Sequence, residues 1–245
     1  GQVIATCTSF APAFFNNLIS GPVVFIETNV KGTLTLLEAA RKHWLDAPFK
    51  PKPGKEQCRF LHVSTDEVYG SLGETGFFRE DTSYAPNSPY SASKAGSDFL
   101  ARAWHHTYGL NSVITNCSNN YGPWQHEEKF IPTIIASCLN SSQIPIYGDG
   151  LNIRDWLYVE DHCSAVDAVI RRGNLGETYN IGADNEWRNI DMFQLVCKTM
   201  DERHPRDKPY DRLISFISDR PGHDRRYAIN GNKMVRIRCM GNKVF

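Results

Sequence analysis

Tyr90 and Lys94 stand four residues apart in PYSASK. On a helix that spacing puts the phenol and the ammonium on one face, where both can meet the same ligand. A free tyrosine titrates near pH ~10, too high for a base at neutral pH. A fixed cation stabilises the phenolate, which would make Tyr90 a usable proton acceptor; the same pair also occurs on ordinary solvated helix surfaces. Upstream, Thr65, Asp66 and Glu67 follow an apolar run. Two adjacent carboxylates in one cleft oppose each other's ionisation, so one keeps its proton while the other stays charged. An acid beside a base is what removal of water from a substrate requires. Against that stands a plainer role, because acidic residues favour any helix N-terminus.

The elements around these residues can be read from periodicity. Residues 21–44 place Val23, Ile26, Val30, Leu34, Leu37 and Ala40 at three-to-four spacing, a helix with Pro22 in its first turn. RFLHVST (59–65) reads as a buried strand, 71–89 as a loop, and 89–108 as a second long helix ending at Gly109. Then come a strand at 111–118, a turn at Gly122-Pro123, a helix at 129–140, a strand at 144–148 and a helical pattern at 159–171. A strand at 177–182, a helix at 190–202 and the apolar run at 213–218 complete the pattern. Alternating strands and helices predict an α/β fold with a largely parallel sheet. In such sheets the ligand lies beyond the carboxyl ends of the strands, here after Thr65, Ser118 and Gly182.

Composition narrows the function class. Of 245 residues, 41% are hydrophobic and 22% charged, enough for a packed core. Lys+Arg and Asp+Glu both number 27, a balance that argues against nucleic acid or a membrane surface as the main partner. Seven cysteines without a Cys-x-x-Cys spacing fit neither a disulfide scaffold nor a structural zinc site, so no metal is expected. With no run long enough to span a membrane, a cytoplasmic location is the default expectation.

STDEVYG (64–70), YSASK (90–94) and NCSNNYGP (116–123), in that order, resemble the extended short-chain dehydrogenase/reductase family. Within it the sequence is similar to the dTDP-glucose 4,6-dehydratases, since relatives that only epimerise or reduce usually lack the Asp-Glu pair. IRDWLYVEDH (153–162), ETYNIG (177–182) and DRPGHDRRYAI (219–229) extend the resemblance from about Ser20 to Ile229. It implies a partial Rossmann sheet with NAD over 1–125, a nucleotide-sugar region over 126–245, and a partial return of 151–182 to the sheet. It also implies a homodimer through the helices at 21–44 and 89–108.

The resemblance further implies roles. Tyr90 would take the C4 hydroxyl proton as hydride passes to the nicotinamide, Lys94 would lower the tyrosine pKa and hold the cofactor ribose, and Thr65 would bind the C4 oxygen. Glu67 would take the C5 proton and Asp66 would protonate the departing C6 hydroxyl, before the hydride returns to C6. Thr28 and Asn120 would contact the cofactor. Asn119 and Lys129 would contact substrate, Pro145, Ile146 and Tyr147 would flank the base, and Arg154 and Arg220 would clamp the diphosphate. Asn189, Asp219, Pro221, Gly222 and His223 would complete that pocket. Another nucleotide sugar as substrate, or a non-catalytic fragment that binds nucleotide sugar or pairs with a full-length subunit, are the alternative readings.

Three features depart from the family. No Gly-x-x-Gly-x-x-Gly turn opens the chain; the one at Gly70, Gly73 and Gly76 precedes a proline-containing loop rather than a helix, so it is read as a decoy. Ala11 to Asn17 do not match the acidic-serine-histidine segment expected there. After Ile229, NGNKMVRIRCMGNKVF is short and basic where the family continues with a helix. With Gly at position 1 as well, the expectation is truncation at both ends, weak or absent NAD binding, and an unpaired edge on the strand at 59–65.

Overall fold

The computed structural model describes residues 4–8 and 21–241. Its main sheet is parallel throughout, with β1 (Ile4–Thr8), β2 (Arg59–Thr65), β3 (Ser112–Cys117) and β7 (Thr178–Ile181) in the spatial order β1-β2-β3-β7. β1 runs beside β2 from Ile4 opposite Arg59 to Thr8 opposite Val63. The edge of β2 is therefore covered, which corrects the expectation of a raw edge at 59–65. The segment Ala11–Asn17 lies outside the described residues.

Successive side chains of β2 face opposite ways, as a strand buried on both faces requires. Phe60 packs with Leu37, Trp44 and Leu110, on the face covered by two long helices. The first, α1, runs Val23–Phe25, passes through a π-helical segment Ile26–Lys31 and continues over Gly32–Trp44. The second is α2 (Pro89–Tyr108), capped by reciprocal bonds between Ser88 and Ser91, with Pro89 in its first turn, and closed by a left-handed Gly109. Leu61 points the other way, into a cluster with Val113, Val169, Tyr179 and Met234. That face is covered by α4 (Val159–Arg172) and α6 (Asn232–Gly241). The helix α6 corrects the reading of the segment after Ile229: Met234 and Ile237 are buried against the sheet although the sequence around them is basic.

Beyond the carboxyl end of β3 the chain forms a second sheet of β4 (Asn119–Tyr121), β6 (Ile153–Tyr158) and β8 (Glu186–Arg188), in the order β8-β6-β4. A third, two-stranded sheet pairs β5 (Ile144–Tyr147) with β9 (Ile214–Ile217) in parallel. Between this pair and helices α3 (Phe130–Leu139) and α5 (Asn189–Arg203) lies a separate core of Ile134, Ile144, Ile146, Phe193 and Met200. A further small cluster of Val68, Tyr69, Phe78, Ala95, Tyr227 and Ile229 joins the turn after β2, helix α2 and the segment 219–230. That cluster positions the site. No described helix is long and apolar enough to cross a membrane.

Candidate active site

β2 delivers Thr65 to the edge of the site, and the chain then makes a tight 3-10 turn, Asp66–Tyr69. Thr65 has extended backbone and its hydroxyl accepts the Glu67 N–H, which caps the turn and aims both carboxylates. Gly70 ends the turn at φ 88°, with its Cα against the Ala85 carbonyl, where a side chain would collide. Past it there is no helix until Pro89, so Gly70, Gly73 and Gly76 belong to a loop and not to a phosphate-binding turn. The carbonyls of Gly73 and Gly76 accept from Arg226 instead.

Asp66 is 2% exposed, and its Oδ2 meets no hydrogen-bond donor among the described residues. Burial, reinforced by the neighbouring Glu67, raises its pKa well above the usual carboxylate range, with the charge of Arg154 opposing the rise. Burial raises Glu67 as well, but the charges of Arg220, Arg154 and Lys129 oppose that rise. The two carboxyls thus differ in surroundings: burial and a like charge act on Asp66, while three cations act on Glu67.

On α2, Tyr90 and Lys94 share one face as their spacing predicts. Lys94 is 2% exposed and its ammonium donates to the Val63 carbonyl at 2.7 Å, which ties the helix to the end of β2. The tyrosine pKa is not lowered in the chain by itself. Burial pushes it up, and the charge of Glu67, the Cys117 thiol and Asp66 add to that. Burial is the largest of these causes, and the phenol is protonated at neutral pH. The ring rests edge-on against Phe25 of α1 at 5.7 Å.

The π-helical segment of α1 bears directly on this helix. Asn29 is fully buried, its amide donates to Ser93 Oγ at 2.8 Å, and its carbonyl accepts from Ser97 Oγ at 2.8 Å. Ser93 in turn donates to the Tyr90 carbonyl. Thr28 sits half-buried beside Asn29. Sequence reading singled out Thr28 and missed Asn29 because, of the apolar positions it took for the helix face, Val23, Ile26 and Leu34 are exposed, while the buried face runs through Phe25, Asn29, Thr33 and Leu37.

At the end of β3, Asn120 donates to the Ser118 carbonyl and to Cys117 Sγ, while Asn119 lies half-buried on β4 opposite Trp156. The buried atoms Ser118 Oγ and Asn120 Oδ1 have no partner among the described residues. Together with Lys94 they fit the nicotinamide-ribose end of a dinucleotide, whose hydroxyls and carboxamide would satisfy them. Among the described residues no glycine-rich turn opening a helix is present for the pyrophosphate.

The remaining expected residues sit across the cleft. Lys129 caps α3, and Asn189 opens α5 with its N–H on the Asn152 carbonyl. On β5, Pro145 and Tyr147 are half-buried while Ile146 is 1% exposed with its side chain in the core, so only the first two present side chains outward. Asp219 accepts from the Arg220 N–H and pairs with His223 at 2.7 Å. Burial and the charge of Arg220 hold His223 down to about 4, so it is neutral at neutral pH. Pro221 and Gly222 are exposed; Gly222 has φ 69°, with the Asn87 carbonyl where a Cβ would stand. Arg154 is 6% exposed, donates to the carbonyls of Ile153 and Asp224, and stacks over the Tyr227 ring at 4.2 Å. It is held more firmly than a solvent-facing clamp. Asp224 and Tyr227, whose side chains share a 2.6 Å bond, are the residues of this wall that motif reading did not single out.

Known proteins resemble this chain along most of its length. A profile of the family described as GDP-mannose 4,6 dehydratase matches residues 11–237, eight residues beyond Ile229 and into the segment read as divergent. The dTDP-glucose 4,6-dehydratase of Xanthomonas campestris pv. campestris is 54% identical over 226 residues, covering 91% of this chain and 64% of that protein. Escherichia coli K12 dTDP-glucose 4,6-dehydratase 1 is 52% identical, covering 92% and 64%. The crystal structure of the Streptomyces venezuelae dTDP-glucose 4,6-dehydratase, which holds NAD, superposes with a TM-score of 0.81 at 41% identity, over 93% of this chain and 64% of that one. The Bacillus anthracis enzyme in complex with NAD gives 0.75 at 45% identity, over 89% and 63%. The chain spans just under two thirds of the length of these relatives. By that match and these identities the chain belongs to the GDP-mannose 4,6 dehydratase family, where it is similar to the dTDP-glucose 4,6-dehydratases.

Proposed function

We propose that this chain carries the site for NAD-dependent dehydration of dTDP-glucose to dTDP-4-keto-6-deoxyglucose. One observation carries the reading: the adjacent carboxyls of Asp66 and Glu67 share one capped turn at the end of β2, Asp66 buried and Glu67 under the charges of Arg220, Arg154 and Lys129, with Tyr90 near enough to respond to both. NAD, which the Bacillus anthracis and Streptomyces venezuelae enzymes hold, would supply a hydride acceptor for C4 and a donor for C6. Lys94, Asn120 and Thr28 would hold its nicotinamide end. Thr65 would hold the C4 oxygen while Tyr90 takes the hydroxyl proton, its phenol ionised only once the positive charge of the oxidised nicotinamide would stand beside it with Lys94. The C4 ketone acidifies C5, Glu67 removes that proton, and Asp66 protonates the C6 hydroxyl as it leaves as water; when hydride adds to C6 of the resulting alkene, C5 takes a proton back from Glu67 or solvent. Arg220 and Arg154, with Asn119, Lys129, Asn189, Asp219, Pro221, Gly222 and His223, would face the nucleotide diphosphate and sugar. Pro145 and Tyr147 would flank the base, with Ile146 behind them.

The division at 1–125 and 126–245, with 151–182 lending β7 to the main sheet, is proposed on the same ground: separate cores on either side of the cleft. A homodimer through α1 and α2 is proposed from the family resemblance and from Val23 and Phe99, which are 69% and 57% exposed. A second reading, a chain that binds nucleotide sugar without turnover, is favoured by the lack of a glycine-rich turn among the described residues. Mass spectrometry of the purified chain with dTDP-glucose and NAD separates the two. Loss of water from the sugar supports dehydration; a folded chain that binds dTDP-glucose without water loss supports the second reading.

A further inference from the structure

Asp224 is 6% exposed, and every polar atom of its side chain and carbonyl is engaged. Oδ1 accepts from Asn87 Nδ2 and Oδ2 from the Tyr227 hydroxyl, both at 2.6 Å. Its carbonyl accepts from Arg154 Nη2 at 2.9 Å and from Asn152 Nδ2 at 3.1 Å. The arginine bonds the backbone of Asp224 and not its carboxylate. Among the described residues that carboxylate meets only neutral donors. A buried carboxylate without a cationic partner is costly, and an asparagine of the same shape could bond to both neighbours, accepting from Asn87 and donating to the Tyr227 oxygen. The charge itself therefore needs a reason.

Glu67 supplies one. Tyr227, which Asp224 holds, packs in one cluster with Val68 and Tyr69 of the Glu67 turn, and the residues after Asp224 bond Ser71 and Leu72 just past that turn. The charges that act on Glu67 are those of Arg220, Arg154 and Lys129 on one side and Asp224 on the other, and the phenols of Tyr90 and Tyr227 and the carboxyl of Asp66 respond to it in turn. We propose, on the reading of the site given above, that Asp224 is a positioning residue that makes Glu67 the base of the C5 step, through its charge and through its hold on Tyr227 and Arg154. The cations that would bind a diphosphate also weaken Glu67 as a base, and Asp224 is the anion on the opposing segment that offsets them. Its bond to Asn87 reaches the residue just before the N-cap of α2, so the same carboxylate also fixes the approach to the helix that carries Tyr90.

The test is Asp224→Asn, with Asp224→Ala beside it as the variant that also removes the bonds. In the chain with NAD and dTDP-glucose, Asp224→Asn is expected to keep the rate of C4 oxidation, read as reduced nicotinamide absorbance, and to slow water loss roughly 10- to 100-fold. Equal slowing of both steps, or slowing of neither, would overturn the proposal. An independent reading needs no turnover: with carbon-labelled glutamate, the nuclear magnetic resonance titration of Glu67 should move to lower pH in Asp224→Asn. If the unsubstituted chain does not turn over, the dehydratase reading fails, and that titration alone decides Asp224. An unmoved Glu67 midpoint sinks the proposal in either case.

Discussion

The turn after β2 and the segment 219–230 pack into one cluster, yet they are built in different ways. The turn is local: Thr65 caps it, the Asp66-Glu67 pair follows at once, and Gly70 closes it within the same few residues. The segment has no regular secondary structure and is held from outside. Arg225 N–H bonds Ser71, Leu72 N–H bonds the Arg226 carbonyl, and Arg226 bonds Glu186 and the loop carbonyls of Gly73 and Gly76. The turn that carries the acid pair rests on short-range capping. The segment that carries Arg220 and Asp224 rests on long-range bonds that tie distant loops together.

The contrast predicts different failures on the two sides. The largest effect belongs to the catalytic face: Tyr90→Phe should lower C4 oxidation by about 10²- to 10⁴-fold with dTDP-glucose binding by calorimetry nearly unchanged. Glu67→Gln comes next; reduced nicotinamide should form and persist while water loss slows on the order of 10²-fold, and normal water loss would remove Glu67 as the base. On the opposing wall two arginines should part company. Arg154→Ala removes bonds to two buried carbonyls and the stacking on Tyr227, so thermal unfolding should fall by about 3 kcal/mol. Arg220→Ala should leave Tm nearly unchanged and raise the Kd for dTDP-glucose about tenfold.

The smallest effect runs the other way. Burial raises the Asp66 pKa, so below the ordinary aspartate range the proton is present in both folded and unfolded chains. As pH rises through the unfolded value, the unfolded chain loses its proton first, and stability falls until the folded value is passed. Asp66→Asn should therefore abolish water loss yet raise Tm at neutral pH by roughly 2–4 °C, and flatten the decline of stability with pH. A lower Tm at neutral pH would mean that the carboxylate is stabilised in the fold.

The sequence made the local side of this comparison legible. Strand 59–65, helix 89–108 with its Gly109 end, and the acid pair between them all fall where periodicity and capping put them. Helix α6 was missed because Met234 and Ile237 are too few apolar positions among basic ones to mark a helix, and only the sheet beneath them shows what they bury. β1 was missed because a short run at the start of the chain carries no sign of its partner. Spacing places Tyr90 and Lys94 on one face of α2, but the phenol of Tyr90 responds to burial and to carboxylates brought in by β2, which that spacing cannot reveal. Asp224 lay inside a quoted motif, yet its partners Asn87 and Asn152 are distant in sequence, and no local pattern announces them.

The most direct test of the account follows a label. dTDP-glucose deuterated at C4 is incubated with the chain and NAD, and the product is resolved by mass spectrometry. The account predicts loss of water with the deuterium kept and found in the new C6 methyl group, since the cofactor returns what it takes. Water loss with the deuterium washed out, or C4 oxidation with no water loss at all, would contradict it.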